Sequence, residues 1–410
     1  MTARCKLEPF RWAGGIECTF VPHGTGTRRP LDEYQLTGHY DAWKEDLDRA
    51  ASLGIKALRW AVPWFKVEVA MDNFDWSWVD LVIDHAGKLK LPLIVDLMHY
   101  TTPLWLEHDV CDSRYVERVA IFARTLALRY KGKVRHFTVH NEPMVGADFG
   151  GRRGEWPPYL LGEQGYVKVL IQNALGMQAS IRAIKNVIPQ AVFVSADSMR
   201  LYRPDTADRG CVRAAKKLFL HHILPWDLVR GAVNENHPLY RYLISNGASE
   251  EALLQLQRHA VRQHVFGINF YPWSVFAVKY DGNRRYRYVE AETHGRDLAD
   301  VIKQTHKHVQ APIWITETSH AGTTTEKMLW MSETIDAVRV CRNALIPVVG
   351  YTWFPLTTMV DWAYRNDNKP ATDWLLPLGL WDIHSQADGT MTRVETPLVE
   401  SYRDWVRRGI

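Results

Sequence analysis

The chain has 410 residues, 46% of them hydrophobic and 23% charged, with 26 glycines and 20 prolines, a composition that excludes disordered and fibrous architectures. Fifty basic against 46 acidic side chains leave a formal charge of +4. Without a dense Lys/Arg stretch, that near-balance argues against a nucleic-acid or anionic-membrane partner.

In chain order, short apolar runs rich in β-branched and aromatic residues alternate with longer segments of helical period. The first predicted strand is Trp12–Cys18. After it, Trp43, Leu47, Ala50, Ala51 and Gly54 share one helical face while Asp41, Glu45 and Asp48 lie elsewhere, the pattern of a helix packed on a sheet. Further predicted strands are Lys56–Trp60, Pro92–His99, His136–Glu142, Ala191–Asp197, Val265–Tyr271 and Pro312–Glu317. A second amphipathic face, Met328, Met331, Ile335, Val338 and Cys341, leads to the last, Pro347–Trp353. PLIVDLM and APIWIT are continuous apolar runs, as strands buried on both faces should be. Eight such units without a Ser/Gly-rich linker predict one (β/α)8 barrel spanning 1–410. The largest insertions fall after strands four, five and six, at Met144–Gly162, Ser198–His264 and Pro272–Thr293.

Five scattered cysteines, Cys5, Cys18, Cys111, Cys211 and Cys341, are never spaced as CxxC, so neither a disulfide framework nor a zinc knuckle is expected. The opening MTARCKLEPFRWAGG lacks the apolar core of a secretory leader, and no stretch approaches about 18 apolar residues. These features predict a cytoplasmic protein. Oligomeric state is left open.

Barrel active sites are built at the C-terminal ends of the strands. Those ends carry Arg59-Trp60, Asp96, His99-Tyr100, His140-Asn141-Glu142-Pro143, Asn269-Phe270-Tyr271, Thr316-Glu317-Thr318 and Trp353. Two carboxylates across an aromatic-walled cleft are what glycoside cleavage needs: one protonates the leaving oxygen while the other attacks or stabilises the oxocarbenium-like carbon.

HFTVHNEP resembles the T-x-N-E-P segment of glycoside hydrolase family 1, the β-glucosidase family, and IWITET resembles its I-T-E-N-G segment. ALRWAVPWFKV, LMHYTTPLWL, GINFYPW and GYTWFPLTTMVDW resemble four further family segments in the same order. The resemblance covers Phe10 to Trp362 and implies a retaining β-glycosidase without metal or cofactor, acting on a carbohydrate substrate. It makes Glu142 the general acid/base and Glu317 the nucleophile, supported by Arg59 and Tyr271. Substrate-binding roles pass to His99, Tyr100, Asn141, Asn269, Trp353, Asp361 and Trp362.

Departures from the family pattern fall in the sugar-recognition shell. Gly15-Ile16-Glu17 stands for Q-I-E, Thr318-Ser319 for the Asn-Gly after the nucleophile, Asp361 for a Glu, and Tyr100 for a Trp. The last-strand Trp aligns either to Trp353 with a one-residue slip or to Phe354. No Ser-x-Lys-x-Tyr segment occurs near the end, which disfavours a 6-phosphosugar.

Transglycosylation through the same intermediate and a non-catalytic carbohydrate-binding barrel are the alternatives. Arg152-Arg153 is read as a solvated loop rather than an anion clamp. His221-His222 and His306–His308 lack a third ligand at metal spacing. Asp96 and Asp197 are expected to hydrogen-bond within the barrel rim.

Overall fold

The computed structural model describes residues 9–281 and 285–410. Residues 1–8, on which the leader reading and Cys5 fall, and residues 282–284 of the third insertion lie outside the described residues.

Eight parallel strands form the barrel: β1 (Arg11–Gly15), β2 (Ala57–Ala61), β3 (Leu93–Asp96), β4 (His136–Thr138), β5 in two pieces (Val192–Phe193 and Asp197–Ser198), β6 (Phe266–Asn269), β7 (Ile313–Thr318) and β8 (Val348–Trp353). β1 pairs with both β2 and β8, while the first piece of β5 pairs with β4 and the second with β6. Single bridges at Asn141–Ala196 and Val194–Val265 complete the ring, leaving no open edge.

Most strands are shorter than their apolar runs. Beyond β4 the chain leaves the ladder and holds by isolated bonds, Asn141 N–H to Met98 O at 3.0 Å and Glu142 N–H to Ala196 O at 2.8 Å. That release frees the strand ends to turn into the barrel mouth.

Among the described residues, eight α-helices of twelve residues or more pack outside: α1 (His39–Ser52), α2 (Ser77–Lys88), α3 (Tyr115–Arg129), α4 (Gly162–Val187), α5 (Arg209–Val229), α6 (Leu298–Val309), α7 (Thr324–Asn343) and α8 (Pro397–Arg408). α1 buries Leu47 and Ala50, and α7 buries Met331, Ile335, Val338 and Cys341, as the sequence periodicity requires. A Thr323/Glu326 capping box starts α7, satisfying two backbone donors that a helix start leaves free. Tyr402 of α8 donates to Ala13 O at 2.6 Å, tying the last helix to β1.

Inside the ring, Ala13, Ala57, Ile94, Val194, Val265, Trp314 and Val349 form a separate apolar layer, so the barrel is filled rather than hollow. The cleft lies above this floor.

The three expected insertions are present. Leu201–Pro204 pairs parallel with Val275–Tyr280, which pairs antiparallel with Tyr286–Glu290, so the insertions after β5 and β6 build one small sheet beside the mouth. A fourth enlarged segment, residues 354–396 between β8 and α8, was not anticipated. It carries two hairpin-like pairs, Met359–Val360 with Leu375–Leu376 and Trp381–Ser385 with Met391–Glu395. Among the described residues no helix is long and apolar enough to cross a membrane.

Candidate active site

Arg59 is the hub of the barrel mouth. It sits on β2, 1% exposed. Its Nε donates to Asp96 Oδ1 at 3.1 Å, its Nη2 to Asp96 Oδ2 at 2.6 Å and to Asn141 Oδ1 at 2.5 Å, and its Nη1 to Glu317 Oε1. A buried guanidinium is tolerable only when its donors are spent on charged or polar acceptors. Asp96 supplies that function, the structural rim role expected of it.

Glu317, near the end of β7, has a second donor, Tyr271 Oη, at 2.8 Å from Oε2. Its backbone is also fixed, since Phe270 N–H donates to Glu317 O at 2.9 Å. Both carboxylate oxygens are thereby oriented by groups from neighbouring strands.

Glu142 is held differently. Tyr100 Oη lies 2.6 Å from its Oε2 and Asn269 Nδ2 is 2.8 Å from its Oε1; neither partner carries charge. Its backbone adopts φ 41°, ψ 59° immediately before the short helix Pro143–Ala147, a left-handed conformation that is costly for a side chain of this size. The strain is sustained by the Ala196 bond and by the helix start.

The electrostatics follow from these contacts. Burial and the negative charge of Glu317 push the Glu142 carboxyl up to about 8. Burial also raises Glu317, but Arg59 and His99 oppose it there. Glu317 is therefore the first of the two to ionise, and its charge keeps Glu142 protonated. The arrangement offers one carboxylic acid and one carboxylate to the same cleft at neutral pH.

His99 bridges the hub to the cleft. Its Nε2 is 2.9 Å from Asn141 Nδ2, and its Nδ1 is 3.3 Å from Asp96 Oδ2 and 3.1 Å from Cys18 Sγ. Cys18, Asp96 and His99 are the group among the described residues whose ligand atoms come within 4.8 Å of one another. Both Asp96 oxygens are already engaged by Arg59, and that adjacent positive charge disfavours a cation.

The cleft has a volume of about 920 Å³, and its walls include Glu17, His99, Tyr100, Glu142, Tyr271, Glu317, Asp361 and Trp362, together with Arg200, Tyr202, Trp273 and Tyr288. Tyr271 and Trp273 stack with centroids 4.9 Å apart and 5° between planes, extending a flat apolar surface outward from Glu317.

Most residues singled out by sequence converge here, but Asn141 is fully buried, its amide oxygen on Arg59 and its amide nitrogen on His99, and four other readings change. Trp353 does not reach the cleft: Thr352 faces the barrel interior, where it accepts from Trp314 Nε1 at 2.9 Å, so alternation turns Trp353 outward and Phe354 inward. The Trp353 indole instead donates to Leu378 O at 3.1 Å, while the Phe354 ring lies 5.3 Å from the Arg59 guanidinium. Asn269 is spent within the protein, donating to Glu142 and accepting from Thr316 Oγ1 at 2.7 Å. Tyr100 likewise holds Glu142 while forming part of the wall. Arg152, read as solvated, lines the cleft and pairs with Asp148 and Glu163.

Phe354, the alternative to Trp353 in the last-strand alignment, is the residue that turns inward, and Glu17, named in the first-strand segment without a role, lines the cleft. The signal for Glu17 was its two-residue offset from Gly15 on the first strand, which puts both on the inner face.

The family model described as Glycosyl hydrolase family 1 matches residues 35–226. Among curated proteins, the chain is 23% identical over 273 residues to a 1,4-beta-D-glucan glucohydrolase of Thermotoga neapolitana, covering 60% of this chain and 59% of that protein. It is 22% identical over 230 residues to Beta-glucosidase A of Thermotoga maritima, covering 54% of this chain and 48% of the relative. The aligned stretch thus spans about half to three fifths of the length of these relatives. Among solved structures, a family 1 β-glucosidase from Thermotoga maritima superposes with a TM-score of 0.84 at 16% identity, covering 98% of both chains; the likeness is one of fold.

Proposed function

We propose that this chain is a divergent member of glycosyl hydrolase family 1, whose model matches residues 35–226, and a retaining β-glycosidase that cleaves β-linked glycosides through a covalent glycosyl-enzyme intermediate. One observation carries the reading: Glu142 and Glu317 face one cleft in opposite hydrogen-bond settings, the first between neutral donors and the second against a guanidinium. In the first step Glu142 gives its proton to the leaving oxygen as Glu317 attacks the anomeric carbon. In the second, Glu142, now a carboxylate, takes a proton from water as that water displaces Glu317.

The division of labour follows. Arg59 and Tyr271 orient Glu317 and keep it ionised. Tyr100 and Asn269 fix the Glu142 carboxyl, and Asn141, buried behind the cleft, holds Arg59 through its amide oxygen and His99 through its amide nitrogen. His99, Asp361 and Trp362 meet the glycone. The names of the relatives favour a glucose-like glycone, and the missing Ser-x-Lys-x-Tyr segment favours an unphosphorylated one. Scattered free cysteines, Cys18, Cys111, Cys211 and Cys341, support a cytoplasmic setting.

The test is hydrolysis of aryl β-glycosides (gluco, galacto, fuco, manno, xylo, glucuronyl) by the natural chain and by Glu317→Gln. Turnover of at least one, lost in the variant with folding retained, is the expected result. Turnover that survives Glu317→Gln overturns the nucleophile assignment, and no turnover of any member by folded natural chain overturns the reading.

A further inference from the structure

The first strand presents an unusual edge to the cleft. Residues 13, 15 and 17 share the inner face of β1 and its extension: Ala13 lies in the interior layer, Gly15 above it, and Glu17 at the rim. Position 15 contributes no side chain and has no room for one. A Cβ built there would lie 2.2 Å from Phe354 Cδ2 and 2.7 Å from Phe354 Cε2. The inward-turned ring of Phe354 has taken that space, so whatever the first strand offers a ligand must come from Glu17.

Glu17 is built for the purpose. It is 6% exposed, and that remaining surface lies in the cleft. Its Oε1 is locked by Thr19 N–H at 2.8 Å and Thr19 Oγ1 at 2.6 Å, with His99 Nε2 4.0 Å away. Among the described residues nothing donates to Oε2, and that atom is not sealed from the cleft. A carboxylate more than nine-tenths buried, with one oxygen locked and the other unpartnered, carries a desolvation cost that a ligand's donor would lower.

We propose that Glu17 is a glycone-binding residue: its Oε2 accepts a hydroxyl proton from a sugar seated against Glu317, in place of any contact from position 15. With Asp361 also in the cleft, the Glu17 contact favours a neutral hydroxyl, because a phosphate or uronate group placed against it would meet a carboxylate. The inference deepens the glycosidase reading and rests on it for the seat of the sugar.

The test reads binding separately from turnover. Titration calorimetry with deoxynojirimycin and its monodeoxy analogues is run on the natural chain, Glu17→Gln and Glu17→Ala, with thermal melts to confirm folding. Glu17→Gln keeps the shape and the Thr19 acceptor while altering the free oxygen, so it guards against a misfolded Glu17→Ala. The expected result is an about 10- to 100-fold weaker association in Glu17→Gln, the range for a hydrogen bond to a charged group. That loss disappears for the analogue lacking the matched hydroxyl, as coupled partners require. Equal loss across all analogues signals lost charge alone and overturns the proposal, as do unchanged binding and absence of binding to the natural chain. Glu17-dependent binding without aryl-glycoside turnover leaves the glycone contact standing and overturns the hydrolase reading.

Discussion

Replacing Tyr100 by phenylalanine removes one oxygen from the site and leaves the rest of the wall in place. The ring keeps its edge contacts, with centroids 4.9 Å from Trp156, 4.9 Å from His99 and 5.5 Å from Trp362, so folding is preserved. What is lost is the hydroxyl 2.6 Å from Glu142 Oε2, which favours the ionised carboxylate and so pulls the Glu142 carboxyl down against burial and Glu317. A hydrogen bond to a charged group contributes about 1.5–3 kcal/mol, and one pKa unit corresponds to about 1.4 kcal/mol. Tyr100→Phe therefore raises the ionisation of Glu142 by about 1–2 units. Because Glu142 must be protonated to start the reaction, activity is lost as pH rises through that ionisation. The alkaline limb of kcat/KM, expected near 8 in the natural chain because burial and Glu317 push the Glu142 carboxyl there, moves upward in the variant. The assay is a pH–rate profile on an alkyl or poorly activated aryl β-glycoside, where proton donation limits the rate. An alkaline limb that stays in place, or moves down, refutes both the hydrogen-bond argument and the acid role of Glu142.

Three further perturbations have defined outcomes. Glu142→Ala should slow substrates with poor leaving groups far more than activated aryl glycosides, and equal losses in a leaving-group series would remove Glu142 from the acid role. Glu317→Gly should abolish hydrolysis yet regain partial turnover with azide or formate, giving an inverted product by NMR; a retained configuration in the rescued product would contradict direct displacement in the vacated space. Asp197, buried with Oδ2 unpartnered, has its carboxyl raised to about 7 by burial. Its contribution to stability is full below the ordinary carboxylate range near 3.8 and fades as pH rises through about 7. Asp197→Asn should thus flatten the fall in Tm between pH 5 and pH 8, and an unchanged slope would show that Asp197 ionises normally in the fold.

Much of this architecture was legible in the letters. Continuous apolar runs marked strands covered on both faces, and helical spacing in α1 and α7 marked their inner sides, because burial of one face is a local property of sequence. Glu142 and Glu317 were legible for the same reason, as charges ending apolar strands. Parity at the end of β8 was not. Trp353 and Phe354 are adjacent aromatics, and which one turns inward depends on register against Trp314, a contact 38 residues away. Residues 354–396 escaped notice because their strands run only two to five residues, too short for any period to emerge. The partners of Tyr100 and Asn269 were hidden likewise, since a polar residue near a cleft looks the same whether it faces sugar or a neighbouring carboxyl.

The contact between Gly15 and Phe354 limits the evolutionary routes open to this cleft. Any residue with a side chain at position 15 needs the ring at 354 removed first, since the 2.2 Å approach lies far inside van der Waals contact. Removing the ring first hollows the barrel floor beside Arg59, at about 3–5 kcal/mol for a Phe→Ala change, a large fraction of the stability of an ordinary domain. Either single step therefore passes through a damaged protein, and only the paired exchange is tolerated. Within this cleft, therefore, the changes that leave the barrel intact lie at the rim, around Glu17 and Asp361, rather than on the first strand.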